Sequence, residues 1–303
     1  MHITDRFYSS KWGVLTHYLD FVQNAEGDIH NQGKGRTSWD ECVNEFDTEL
    51  FAETVASTGA KYLFFTMEQG TRYIIAPNKT YDEITGAKPG ESYSRRDLVL
   101  DLYDSLSKRG VDLYLYFTGS GAADDPEHGE KFGFRAQQGE AVTRPFVEKW
   151  AAVLREYSLR YGDKVHGWWI DGCYREMFGY TDELLDLLYD AAKAGNADAI
   201  VALNDGVDIR YRKTYAREEF TCGEFDHPTV IPEDRFVDGA QSHMLVPLGP
   251  IWGAPGLQRS GEYLRLFTSL VNMMGGVVTY DAIVYRDGSL DPDQVAALKM
   301  ING

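Results

Sequence analysis

Acidic side chains recur in this chain where short apolar runs end. Asp171 closes Trp168-Trp169-Ile170 and is followed at once by Gly172, Asn204-Asp205 follow Ile200–Leu203, and Asp281 follows Val277–Tyr280. Glu68 comes just after Tyr62–Thr66, and Glu218, Glu219 and Glu224 flank Phe220–Cys222. Several carboxyl groups at one end of a sheet are what hydrolysis of a glycosidic bond requires. One acts as acid/base and another as nucleophile or base, ~5–5.5 Å apart for retention of configuration and ~6.5–9.5 Å for inversion. The aromatic pair ahead of Asp171 adds flat apolar surface of the kind sugar rings pack against. His17 at the end of one run, and His243 and Trp252 near another, complete the candidates.

Each candidate also has a purely structural reading. Asp171 could cap a helix or pair with an arginine, and His17 could be a satisfied polar group in a half-buried strand. Glu218 and Glu219 also fit a charged strand edge, and Asp205 fits a turn with Gly206. Cys173 reads as a small semi-buried residue rather than a nucleophile. Asp124-Asp125-Pro126-Glu127-His128 reads as a solvated acidic loop, so no metal site is expected. A Gly-x-Ser-x-Gly elbow for serine catalysis is absent. No strand-end lysine offers a Schiff base, which argues against a lyase or aldolase. No metal or organic cofactor is implied.

The elements that must carry these groups alternate along the whole chain. Strands are predicted at Gly13–His17, Tyr62–Thr66, Leu113–Phe117, Val165–Ile170, Ile200–Leu203, Phe220–Cys222, Ser242–Val246 and Val277–Tyr280. Between them lie segments of helical period. Leu98, Leu102 and Leu106 share a stripe in 97–109, stopped by Gly110. Pro145 opens a helix to Arg160 that turns Trp150, Val153, Leu154 and Tyr157 inward, and 182–194 carries Leu184, Leu185, Leu187 and Leu188. Eight strands interleaved with helices predict a single (β/α)8 TIM-like barrel spanning 1–303 as one domain. Gly119-Ser120-Gly121 lacks the third glycine and downstream acid of a dinucleotide site and is read as a loop. The long stretches 68–91, 119–142 and 224–239 are then the βα loops that build a site on the barrel's C-terminal face.

Bulk properties narrow the partners. A formal charge of −17 excludes the basic face that nucleic acid or an anionic membrane needs. Aromatic residues at 13% fit a carbohydrate partner. Three scattered cysteines predict neither a disulfide framework nor a zinc site. The first residues show no basic-then-apolar signal and no run approaches a membrane span, so a cytoplasmic location is expected. A homo-oligomer is left open.

Several segments taken in order resemble the catalytic domain of glycoside hydrolase family 29, the α-L-fucosidases. They are Lys11-Trp12-Gly13-Val14-Leu15-Thr16-His17; Phe46-Asp47 with Leu50-Phe51-Ala52 and Thr58-Gly59-Ala60-Lys61-Tyr62-Leu63; Ser94-Arg95-Arg96-Asp97-Leu98-Val99; and Tyr157 to Gly162 running into Trp168-Trp169-Ile170-Asp171-Gly172. The resemblance implies Asp171 as nucleophile, Trp169 as a subsite aromatic and His17 as a sugar ligand. Asn204-Asp205 match the start of the family's Asn-Asp-Arg segment, with Gly206 where the arginine would stand. By spacing from Asn204 the acid/base falls at Glu218 or Glu219, with Glu224 a third choice. Glu219 is preferred because it directly precedes an aromatic residue.

The family's Lys-His-His-Asp-Gly-Phe segment is replaced here by Glu68-Gln69-Gly70-Thr71-Arg72-Tyr73. Loss of both histidines predicts a remodelled sugar pocket, with new contacts from Glu68, Gln69 and Arg72. The C-terminal β-sandwich common in the family is expected to be missing. The resemblance thus implies a retaining glycosidase acting on a terminal α-L-fucoside or a related sugar. The competing expectation is a non-catalytic sugar-binding barrel.

Overall fold

In the computed structural model, which describes residues 2–88 and 90–302, seven of the eight predicted runs form one parallel sheet. In chain order the strands are β1 (Trp12–Thr16), β2 (Tyr62–Thr66), β3 (Asp112–Thr118), β4 (Val165–Asp171), β5 (Ile200–Leu203), a small ribbon of β6 (Phe236–Val237) and β7 (Ala240–Gln241), then β8 (His243–Pro247) and β9 (Val277–Asp281). The sheet order is β5-β4-β3-β2-β1-β9-β8, every neighbour parallel, while β6 and β7 pair antiparallel beside it. The predicted (β/α)8-like barrel is the observed architecture.

The eighth run does not form a regular strand. Residues 219–225 lie in the gap between β5 and β8 as an irregular stave. On the β8 side the Phe225 and Thr221 N–H groups donate to Leu245 O (2.9 Å) and Gln241 O (3.0 Å), and Gly223 O accepts from Leu245 N–H (2.7 Å). On the β5 side the backbone link is Glu219 N–H to Val201 O at 3.1 Å. Side chains serve the remainder of that edge, where unpaired backbone groups would otherwise be buried. Glu219 accepts from Val201 N–H (2.8 Å), Thr214 Oγ1 donates to Leu203 O (2.9 Å), and Glu218 accepts from Leu203 N–H (3.5 Å).

Alternation along each strand separates two cores. Leu15, Tyr62, Phe64, Tyr114, Tyr116, Trp169, Ala202, Phe220, Cys222 and Leu245 fill the barrel, with Phe7 of the N-terminal helix Asp5–Ser10 closing its floor. Gly13 makes room there: a Cβ at that position would sit 2.4 Å from the Tyr62 ring. Trp12, Val14, Leu63, Phe65, Leu113, Leu115, Phe117, Trp168 and Ile170 point outward against the surrounding helices. Those helices include Leu98–Ser107, Arg144–Tyr161, Asp182–Lys193, Gly261–Met273 and Pro292–Lys299. Each large apolar side chain removed from water in these layers stabilises the fold by about 1.5–3 kcal/mol.

One local expectation is corrected. Residues 124–128 are not simply a solvated loop, because Asp125 caps the helix Pro126–Phe132, accepting from the Glu127 and His128 N–H groups at 3.1 Å each. A carboxylate before a first-turn proline is a helix start, which the acidic composition masked. Among the described residues no helix is long and apolar enough to cross a membrane.

Candidate active site

Gly167, Trp169 and Asp171 share the inward face of β4, and Tyr114, Tyr116 and Thr118 share that of β3. The parallel register sets Tyr116 opposite Trp169 and Thr118 opposite Asp171. The Tyr116 and Trp169 rings stack with centroids 5.3 Å apart and planes 20° apart. Stacking of this kind fixes both rings and so fixes what they hold. The Tyr116 hydroxyl donates to Asp171 Oδ2 at 2.6 Å, and the Tyr174 hydroxyl donates to Oδ1 at 3.3 Å.

A third donor links two carboxyl groups. Asn204 Nδ2 lies 2.8 Å from Asp171 Oδ1 and 2.5 Å from Glu224 Oε2. The two oxygens are therefore no farther apart than the sum of those distances. The amide orientation is fixed by Gly206 N–H donating to Asn204 Oδ1 (3.2 Å), which turns the nitrogen toward the two acceptors. Asn204 is itself held by its backbone, which donates to Ile170 O (2.7 Å) and accepts from Cys173 N–H (3.0 Å). Burial, and then the charge of Asp171, push the Glu224 carboxyl up to about 7, although its hydrogen bond from Asn204 works the other way.

Asp171, Glu224, Tyr116, Tyr174 and Trp169 line a cleft of about 720 Å³ on the C-terminal face, together with His17, Gln69, Leu245 and Trp252. That volume is typical of a small-molecule site. His17 Nδ1 meets Asp281 Oδ1 at 2.9 Å, and Asp281 Oδ2 accepts from Gly253 N–H at 2.7 Å. One carboxylate thus anchors both the histidine and the loop that carries Trp252. Burial disfavours a charged His17 ring, but Asp281, followed by Asp171 and Glu224, outweighs it and raises its pKa.

The other predicted site residues lie elsewhere. Glu219 faces outward near the start of β5, bonded to the Tyr189 hydroxyl, to Lys193 Nζ (2.8 Å) and to Val201 N–H. Glu218 is buried against Thr214 and the edge of β5, where burial pushes its carboxyl up to about 7. Glu68 is fully buried beneath the cleft, accepting from Thr118 N–H (2.8 Å), Thr118 Oγ1 (2.7 Å) and Gly70 N–H (3.1 Å), with its carboxyl pushed up to about 8 by burial. Arg72 is engaged by Asp125 (2.5 and 2.7 Å) and Glu127 (3.0 Å) and does not line the cleft. His243 starts β8 rather than ending it, so it lies in the barrel floor, between Thr221 O (2.9 Å) and Thr279 Oγ1 (2.7 Å). The buried Cys173 thiol is pushed well above its ordinary pKa, first by burial and then by Asp171.

Tyr116 and Tyr174 are not among the sequence candidates. Tyr116 was legible in principle, since it shares the inward parity of β3 with Tyr114 and sits near that strand's C-terminal end. Tyr174 follows β4 in an irregular stretch and carries no such signal.

A family model described as alpha-L-fucosidase matches residues 4–242, most of the chain. The chain belongs to the alpha-L-fucosidase family. No curated protein matches it in sequence. Solved structures similar to this alpha-L-fucosidase-family barrel share its fold at low identity. An endo-fucoidan hydrolase of glycoside hydrolase family 107, P5AFcnA, is 15% identical with a TM-score of 0.67, over 97% of this chain and 92% of that one. A second, MfFcnA4, is 14% identical with a TM-score of 0.72, over 99% of this chain and 54% of that one, so this chain spans about half its length. A family 29 alpha-L-fucosidase from Bacteroides thetaiotaomicron is 14% identical with a TM-score of 0.65, over 99% of this chain and 72% of that one. Family and site together describe a glycoside hydrolase-like protein.

Proposed function

We propose that the protein is a retaining glycosidase acting on an α-L-fucoside or a closely related sugar, with Asp171 as nucleophile and Glu224 as acid/base. The observation that carries this reading is the carboxyl pair sharing the Asn204 nitrogen. The sum of the two hydrogen bonds bounds the nearest oxygens below the ~5.5 Å of retaining pairs, and the inverting class needs ~6.5–9.5 Å to seat a water.

In the first step an Asp171 oxygen attacks the anomeric carbon. The glycosidic bond breaks toward the leaving oxygen, which takes the Glu224 proton. In the second step the Glu224 carboxylate removes a proton from water as that water displaces Asp171 from the same carbon. The raised pKa of Glu224 suits a group that must begin protonated near neutrality. Tyr116, Tyr174 and Asn204 hold the Asp171 carboxylate in one orientation for attack and stabilise it again as a leaving group. Trp169, His17 and Gln69 line the cleft and would contact the sugar, with Trp252 at the outer border of that contact, its ring 6.3 Å from the His17 ring.

Proton NMR of the sugar anomer first released from aryl glycosides tests this. Retention is expected, with Asp171→Asn inert on every sugar that the wild type cleaves. Release of the inverted anomer would overturn the mechanism. Equal inertness of wild type and variant across a broad aryl glycoside panel would favour a non-catalytic sugar-binding barrel.

A further inference from the structure

The cleft has two chemically different parts. Its inner end is lined by the polar groups of Asp171, Glu224, His17 and Tyr116, with Asn204 buried behind the two carboxyl groups. Its outer end is apolar: Phe21, Ile29 and Ile251 are 49%, 55% and 68% exposed there, together with Trp252 and Pro255. These side chains come from two separate stretches, the 19–30 segment after β1, which includes the short helix Asp20–Gln23, and the 251–255 loop after β8. His30 Nε2 ties the stretches together through Gly253 O at 2.7 Å. The second stretch is tied to the inner end through Gly253 N–H and Asp281. Large apolar side chains left exposed together beside a polar site mark a place where something apolar docks.

Charge narrows the occupant further. Among the described residues the cleft is lined by no lysine or arginine, while Asp28, Asp171 and Glu224 contribute acid. The one histidine of the outer part, His30, is already engaged by Asp28 at 2.5 Å and by Gly253 O. A sulfated or carboxylated glycan would meet no free cation here and would face a chain of net charge −17.

We propose that this outer part is a leaving-group subsite for an uncharged, apolar aglycone, so that the substrate class is a neutral glycoside of a hydrophobic alcohol. The inference rests on the glycosidase reading for the direction of the cleft. The sugar occupies the enclosed end beside Asp171, and the group leaving with the Glu224 proton points toward the open apolar rim. The subsite's affinity for apolar chains is independent of turnover.

The test is a series of n-alkyl α-L-fucopyranosides from methyl to octyl, below their micelle concentrations, with binding to the intact protein followed by tryptophan fluorescence and hydrolysis followed in parallel. Alkyl alcohols of increasing length differ little as leaving groups, so the series reads contact rather than chemistry. Binding is expected to tighten by at least about tenfold from methyl to octyl, because each methylene that leaves water adds to it. Phe21→Ser combined with Ile251→Ser should flatten the series. A flat series, or no binding at any length, in wild type overturns the proposal, and continued cleavage of the methyl glycoside would then leave the glycosidase reading standing. A steep binding series without any hydrolysis sustains the apolar subsite and overturns the catalytic reading instead. Tighter binding of a sulfated fucan oligosaccharide than of the octyl glycoside overturns the proposal. So does a dimer in sedimentation that dissociates on Ile251→Ser, which would assign the rim to self-association.

Discussion

Asp171 and Glu224 are joined through one nitrogen, the Asn204 side-chain amide, at 2.8 and 2.5 Å. In the proposed mechanism an amide in that position orients the nucleophile and moderates the acid at once. Asn204→Ala is expected to lower kcat/KM by about 10²-fold, the scale of losing one preorganised donor at a reacting centre. The bond from Asn204 holds the Glu224 pKa down, so its loss should move the alkaline limb of the pH–rate profile upward. A fall in rate with no movement of that limb would contradict the shared-amide role.

The proposed acid/base must carry its proton when the leaving group departs, and burial and Asp171 push the Glu224 carboxyl up to about 7. Activity should therefore hold on the acid side of neutrality and decline as pH rises through about 7. Replacing Asp171 by Asn removes a charge that raises this pKa. Isotope-edited infrared titration of Glu224 in Asp171→Asn should then show a lower midpoint than in wild type.

Glu219 and Glu224 should separate cleanly by substitution. Glu224→Gln is expected to reduce kcat by about 10²–10⁴-fold on substrates with poor leaving groups, and by much less on activated aryl glycosides. Glu219→Gln breaks the pairing with Lys193 and leaves that half-buried ammonium short of its acceptor. A stability loss of about 1–3 kcal/mol in urea unfolding, with kcat little changed, is the expected result.

The positions of Glu219 and Glu224 show what the sequence made legible and what it hid. Apolar runs of strand length between helical stripes placed seven strands within a residue or so at each end. Asp171, His17, Asn204 and Asp281 followed because a barrel's strand ends form its site. The preference for Glu219 rests on its adjacency to Phe220, and adjacent residues in an extended chain face apart. Phe220 and Cys222 face inward. Glu224 keeps their parity and lies at the C-terminal end of the stave, whereas Glu219 has the opposite parity and lies at its start. His243 has inward parity but opens its strand, which puts it in the floor. The donor from Tyr174 depends on loop geometry, which carries no period to read, whereas the Asp125-Pro126 helix start is present in the sequence but masked by its acidic neighbours.

Gly223 allows the stave to approach β8. Its φ is +58°, and a Cβ there would lie 1.9 Å from His243 O. Gly223→Ala should displace residues 219–225 and carry Glu224 with them. Loss of kcat/KM by far more than the accompanying fall in Tm, measured by circular dichroism, is the expected signature.

The irregular stave makes the barrel a ring with a clasp, and the proposed acid, Glu224, is mounted on the clasp. A ring of this kind opens first where its backbone links are fewest, which here is the junction with β5. Warming should therefore switch hydrolysis off reversibly while the other seven strands remain paired. Amide exchange would enter the sheet at Val201 and Leu203 well before it reaches β1 and β2. The temperature at which this protein stops working would then be set by fastening, not by melting.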